Sequence, residues 1–103
     1  MKTFGTLIAD ARKASGMSQR QLARRLKKED GKAISAQYLN DIEHDRRNPP
    51  SEFLIAQIAA LLNLSKDRLL AAAGTLPDDI KRMARTHPEK FEKAFLAFRR
   101  ASK

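Results

Sequence analysis

No cysteine occurs anywhere in the 103-residue chain. That excludes a disulfide framework and thiolate metal sites, and it fits a reducing compartment, the cytoplasm. Long apolar runs are also missing. The longest, "IAALL" at Ile58 to Leu62 and "LLAAA" at Leu69 to Ala73, fall far short of the ~20 residues a membrane span requires. No membrane association is expected. The N-terminal "MKTFGTLIADARK" is interrupted by Gly5, Thr6 and Asp10, so it lacks the apolar stretch of a secretory leader and reads as a mature start. Histidine is scarce, with only His44 and His87, and neither HExxH, GxSxG nor a glycine-rich phosphate loop occurs. His44 sits beside Glu43 and Asp45, but neighbours on a helix face different ways and no nucleophile accompanies them. The expectation is therefore no enzyme, no metal and no cofactor.

Positive charge is abundant. Lys and Arg number 21 against 12 Asp and Glu, a net charge of +9, the balance expected of a domain that neutralises phosphate. A basic surface also keeps a protein dispersed in solution, so charge alone leaves both readings open. The excess is spread over both halves of the chain. With 42% hydrophobic residues and a length typical of one domain, a single modest core is expected.

The pattern throughout is helical. Phe4, Leu7, Ile8 and Ala11 repeat at i, i+3, i+4, i+7 behind Thr3 as N-cap, predicting a first helix to about Ala14. In "SQRQ", Ser18 and Gln21 suit a reciprocal capping box before a second helix with Leu22, Ala23 and Leu26 as its seam. Ser35 caps a short third helix ending near His44, where "DRRNPP" breaks it. Ser51 starts a fourth, with Phe53, Leu54, Ile58, Ala59, Leu61 and Leu62 spread so widely that it should be the most buried. Ser65 starts a fifth, closed by Gly74. Pro77 and Pro88 open two more helices. The last carries Phe91, Phe95 and Phe98 on one face, with Ala94 between.

The outward face of the third helix is polar but mostly uncharged: Gln37, Asn40, Asp41 and His44. Two short successive helices, one with "SQ" and "QLA", the next reading "S-x-x-Y-L-N-x-I-E" before a basic proline-containing loop, form a specific combination. The chain resembles the lambda-repressor-like (Cro/XRE-type) helix-turn-helix family over roughly residues 4 to 74, including "LNL" and "DRLL". The resemblance implies an all-α fold: a five-helix DNA-binding domain over residues 1–74, with a C-terminal helical extension over 75–103 that dimerises.

It further implies that the third helix enters the major groove of double-stranded DNA. Ser35, Ala36, Gln37, Asn40 and Asp41 would then face base edges. Asp41 has an alternative role, orienting Arg46 or Arg47. Phosphate contacts would fall to Gln19, Arg20, Tyr38, His44, Arg46, Arg47 and Asn48, although Tyr38 also suits the core. Arg12 and Glu43 match family positions that form a structural ion pair. Two departures stand out. The connection between the second and third helices, Lys27 to Ala33, is roughly six residues longer than the family's, and the expectation is that the second helix gains about a turn, with Lys27, Lys28 and Lys32 decorating the connection, where they would add contacts to the DNA backbone. Asp45 stands where the family commonly has glycine, which predicts strain or a different cap.

The expected function is a dimeric repressor on a palindromic operator, located in the cytoplasm on the nucleoid. The alternative is an antitoxin whose C-terminal helices bind a partner protein, since Phe91, Phe95 and Phe98 need cover, from a second copy, the protomer itself or another protein. Single-stranded RNA is disfavoured, because Tyr38 is the only aromatic near the expected reading surface.

Overall fold

Five of the helices begin on a hydroxyl that satisfies a backbone N–H of their own first turn. In the computed structural model, which describes residues 2–102, the Thr3 side chain accepts from Thr6 N and Ser18 from Gln21 N, each in a reciprocal capping box. Ser35, Ser51 and Ser65 accept from Tyr38, Leu54 and Arg68 N. The helices that follow are α1 (Phe4–Ala14), α2 (Gln19–Arg25), α3 (Ala36–Glu43), α4 (Glu52–Leu62) and α5 (Lys66–Ala72). Two more, α6 (Asp78–Thr86) and α7 (Pro88–Ala101), have no side-chain cap. Each instead has a proline at its entrance, where the missing N–H costs nothing. Met1 and Lys103, the outer bounds of the two expected segments, lie outside the described residues.

One core lies among α1 to α5. Ile8 of α1, Leu22 and Leu26 around α2, Leu39 and Ile42 of α3, Ile55 and Ile58 of α4, and Leu69 and Leu70 of α5 are all buried in it. Helix α3 packs on α1 and α2, and α4 packs on α1 and α5. The approach of α1 to the end of α3 depends on Gly5. An added Cβ there would lie 2.5 Å from the carbonyl oxygens of both Ile42 and Glu43, so any side chain would push the helices apart. Helix α4 has more buried residues than any other helix, Ile55 included, but its burial is one-sided. Phe53 is 50% exposed and Leu61 also faces solvent. The apolar spread predicted cover on that side, and none of the described helices provides it.

Helices α6 and α7 pack on each other. Asp78 N–H ties the start of α6 to Glu52 Oε1 of α4 at 3.2 Å. The radius of gyration is 15.5 Å, against about 13 Å for a compact chain of this length. The excess reflects a helical pair that adds length without joining the core.

The α2–α3 connection corrects the expected extra helical turn. Helix α2 ends at Arg25, Leu26 is already extended, and Lys27 pairs with Ala33 as an antiparallel bridge. Lys28 N–H donates to Lys32 O, and Ile34 N–H to Leu26 O, at 2.9 and 3.0 Å. Gly31 N–H bonds Lys28 O, with Gly31 at φ +84°, the pattern of a three-residue hairpin loop with a left-handed glycine. The physical reason is local and tertiary together. Another turn of helix would place Glu29 and Asp30 at its negative end and Gly31 in its interior. In addition, the Gln57 side chain of α4 accepts from Lys27 N–H at 2.9 Å and donates to Lys27 O at 2.8 Å.

Candidate nucleic-acid interface

The site is organised by one buried carboxylate. Glu43 at the end of α3 accepts from Arg12 Nε at 2.7 Å and Nη2 at 3.0 Å, with side chains only 2% and 10% exposed. Arg12 Nη1 also donates to Met17 O at 2.8 Å, so the guanidinium pins α1, the turn after it and α3 together. The remaining donor on Glu43 is Gln19 Nε2 at 2.9 Å, which also reaches Asn40 Oδ1 at 3.0 Å. Gln19, expected at a phosphate, thus turns its amide inward and fixes Asn40. No buried side-chain polar atom is left without a partner among the described residues.

Asn40 is half-buried, and its NH2 makes no hydrogen bond among the described residues. Gln37, one turn earlier, is exposed and donates to Asp41 Oδ1 at 3.1 Å. The two amides therefore lie on the outward face of α3 and are held from behind. Ala36, the first helical residue, is half-buried, and the hydroxyl of Ser35 is engaged as cap. His44 Nδ1 pairs with Asn40 O at 2.8 Å, so the imidazole lies back along the helix it terminates.

Asp41 lies between two arginines, 3.7 Å from Arg46 Nη1 and 3.6 Å from Arg47 Nε. Those arginine side chains are themselves more than half exposed, so the carboxylate orients them without neutralising their outer faces. Arg47 also stacks over the Tyr38 ring at 5.0 Å, and Tyr38 packs partly against the core. Tyr38, Arg46, Arg47 and Asn48 together line an open depression after α3, a shape and charge suited to a phosphate. Arg20 is exposed on α2 and forms no ion pair among the described residues.

Asp45 takes the left-handed conformation, φ 56°, which an L side chain rarely adopts. Its carboxylate caps α1 from outside, accepting from Gly5 N–H at 2.9 Å and from the Thr3 hydroxyl. A negative charge at the positive end of a helix is favourable, which offsets the backbone cost. Sequence reasoning missed this cap, and it missed Gln57. The only trace of Gln57 was a lone amide inside the otherwise apolar "FLIAQIAALL".

On α7, Phe91 is half-buried, Phe95 is exposed and Phe98 is 67% exposed. The rings stack along one face, with centroids 5.1 Å apart for Phe91–Phe95 and 6.2 Å for Phe95–Phe98. They form a face and are not folded into the core of α1 to α5.

Two short helices, α2 and α3, joined through a connection and braced by α1, with amides on the outer face of the second and arginines at its end, define a helix-turn-helix protein. The family model described as a helix-turn-helix domain matches residues 3–73, and the chain belongs to that family. By that membership it is a DNA-binding regulator, and its fold is similar to that of a solved structure described as a SinR protein/SinI protein complex. That likeness has a TM-score of 0.54 at 26% identity, and it covers 98% of this chain and 100% of that one. No curated protein sequence matches the chain. Among the described residues no helix is long and apolar enough to cross a membrane.

Proposed function

We propose that the protein is a sequence-specific transcriptional regulator of double-stranded DNA, a repressor that occupies a palindromic operator as a homodimer in the cytoplasm. The observation that supports it most directly is the outer face of α3. Gln37 and Asn40 present amides there, held from behind by Asp41 and by Gln19. An amide pairs in bidentate fashion with adenine in the major groove, and a fixed side chain loses less freedom on pairing. Ser35 and Ala36 flank the bases at the helix start. Arg46, Arg47, Asn48, Tyr38, Arg20 and His44 bind phosphate, and Asp41 sets the arginines. No step of chemistry is involved; the mechanism is occupancy.

Selection from a random duplex pool tests this, followed by titration of the selected site. The expected result is an inverted repeat with half-sites about one helical turn apart, bound at least ~10³-fold tighter than random DNA. Gln37→Ala should cost about 1 to 3 kcal/mol on that site alone, while Arg46→Ala should weaken every duplex and flatten the salt slope by about one. Equal losses on selected and random DNA for both variants would refute the division of labour.

A second reading, an antitoxin whose C-terminal helices bind a partner protein, draws on the open face of α7 and on a solved neighbour described as a complex of two proteins. Sedimentation of the purified chain separates the two. A dimer covers Phe91, Phe95 and Phe98 with a second copy, whereas a monomer leaves that face to another protein.

A further inference from the structure

The hairpin between α2 and α3 holds Lys27, Lys28 and Lys32, all exposed and none in an ion pair among the described residues. The two acids of the same loop pair with no lysine side chain. Asp30 accepts from Lys32 N–H at 2.9 Å, and Glu29 accepts from the Ser51 hydroxyl at 3.2 Å. The loop thus carries three ammonium groups against two carboxylates, and the ammonium groups, held in no ion pair, are open to a polyanion. The loop is also fixed in place, through its own backbone bonds and through the two bonds from Gln57 to Lys27.

Its position relative to α3 gives the charges a direction. The hairpin leads straight into the N-terminus of α3, and the Arg46–Arg47 depression follows its C-terminus. The major groove, ~12 Å wide, admits one helix of about that diameter, and the residues at the N-terminus of the second helix lie nearest the bases. The lysines of the hairpin therefore join the chain at the end of α3 that approaches the bases. Lysine suits this role, being a mobile point charge that needs no fixed acceptor geometry.

We infer that the Lys27–Lys28–Lys32 hairpin is a second backbone clamp, gripping phosphates beside the N-terminus of α3 in addition to those held by Arg46 and Arg47. This rests on the placement of α3 in the groove, and it adds an anchor at the end of α3 where the family has only a short turn.

The test is the salt dependence of binding to a random-sequence duplex between about 50 and 200 mM salt, where each lost phosphate contact flattens the slope by about 0.9. Three proteins are compared with the wild type: the triple variant Lys27→Gln/Lys28→Gln/Lys32→Gln, the single variant Arg46→Ala, and a control with the same charge loss on α7, Lys90→Gln/Lys93→Gln/Arg100→Gln. All substituted side chains are exposed, so melting temperatures should stay put and confirm folding. The expected result is a slope shallower by about two to three for the hairpin variant, about one for Arg46→Ala, and little change for the control. An unchanged hairpin slope beside a flattened Arg46→Ala slope overturns the second clamp and leaves the helix-turn-helix reading standing. Equal flattening by the hairpin and control variants also overturns it, by showing bulk charge alone. A wild-type protein with no salt-dependent duplex binding sinks both readings together.

Discussion

Residues 4–72 and residues 78–101 are both helical, yet they solve the burial problem in opposite ways. Among the described residues, every buried apolar side chain lies within residues 4–72, in α1 to α5 and the α2–α3 connection, together with a buried ion pair. In α6 and α7 no residue is buried at all. The second pair is still amphipathic, with Met83, Phe95, Leu96 and Phe98 exposed. The difference teaches that apolar residues at helical spacing show only that a face exists. Whether that face meets its own chain depends on how many other helices are within reach. The first region has five helices that enclose a common centre, whereas a hairpin of two has one side left over.

The sharpest way to press this comparison is to remove the same kind of interaction from each region. Glu43→Gln leaves the Arg12 cation buried without its carboxylate, and the expected loss is about 3 to 5 kcal/mol in chemical or thermal denaturation. Lys81→Ala breaks the Lys81–Asp78 contact on α6, 4.0 Å apart and solvent-exposed, and should cost under about 1 kcal/mol. If Glu43→Gln melts with the wild type, the buried pair is no keystone and the contrast between the regions collapses.

A smaller but more specific effect is expected at the open face. Replacing Phe95 and Phe98 together by Ser should leave the unfolding of α1 to α5 in place while weakening self-association. A central aromatic is worth about 2 kcal/mol or more at an interface, so in the proposed homodimer each substitution should raise the dissociation constant by about 30-fold. Sedimentation equilibrium reads that directly. A double variant that instead loses core stability would mean that the hairpin and the core unfold as one unit, against the division drawn above.

How far each region could be foreseen follows from how local its determinants are. The five capped helix starts were legible because Thr3, Ser18, Ser35, Ser51 and Ser65 each act on an N–H three residues on. The outward amides of α3 were legible for the same reason, since one helical repeat sets Gln37 and Asn40 against Leu39 and Ile42. The hairpin was not, because the group that holds Lys27 is Gln57, thirty residues away. Nor was the inward turn of Gln19, which needs Glu43 and Asn40 beside it. Phe53 failed in the opposite direction. Its spacing was apolar, but the helix that would have covered it is absent from that side.

Asp45 shows the same limit at the smallest scale, and it gives the smallest expected effect. The pattern placed a residue other than glycine at the exit of α3, and strain was one of two outcomes. The structure contains both, a left-handed backbone at φ 56° and a carboxylate that caps α1 across forty residues. Asp45→Gly separates them. Glycine removes the backbone cost, which is modest for Asp because its short polar side chain tolerates the left-handed region. It also frees the unfolded chain and leaves Gly5 N–H and the Thr3 hydroxyl without their acceptor, and a lost cap is worth about 0.5 to 2 kcal/mol. The net expectation is a loss of about 1 kcal/mol, read as a lowered melting temperature. A raised melting temperature would show that strain outweighs the cap, and that the α1–α3 junction tolerates Asp45 without depending on it.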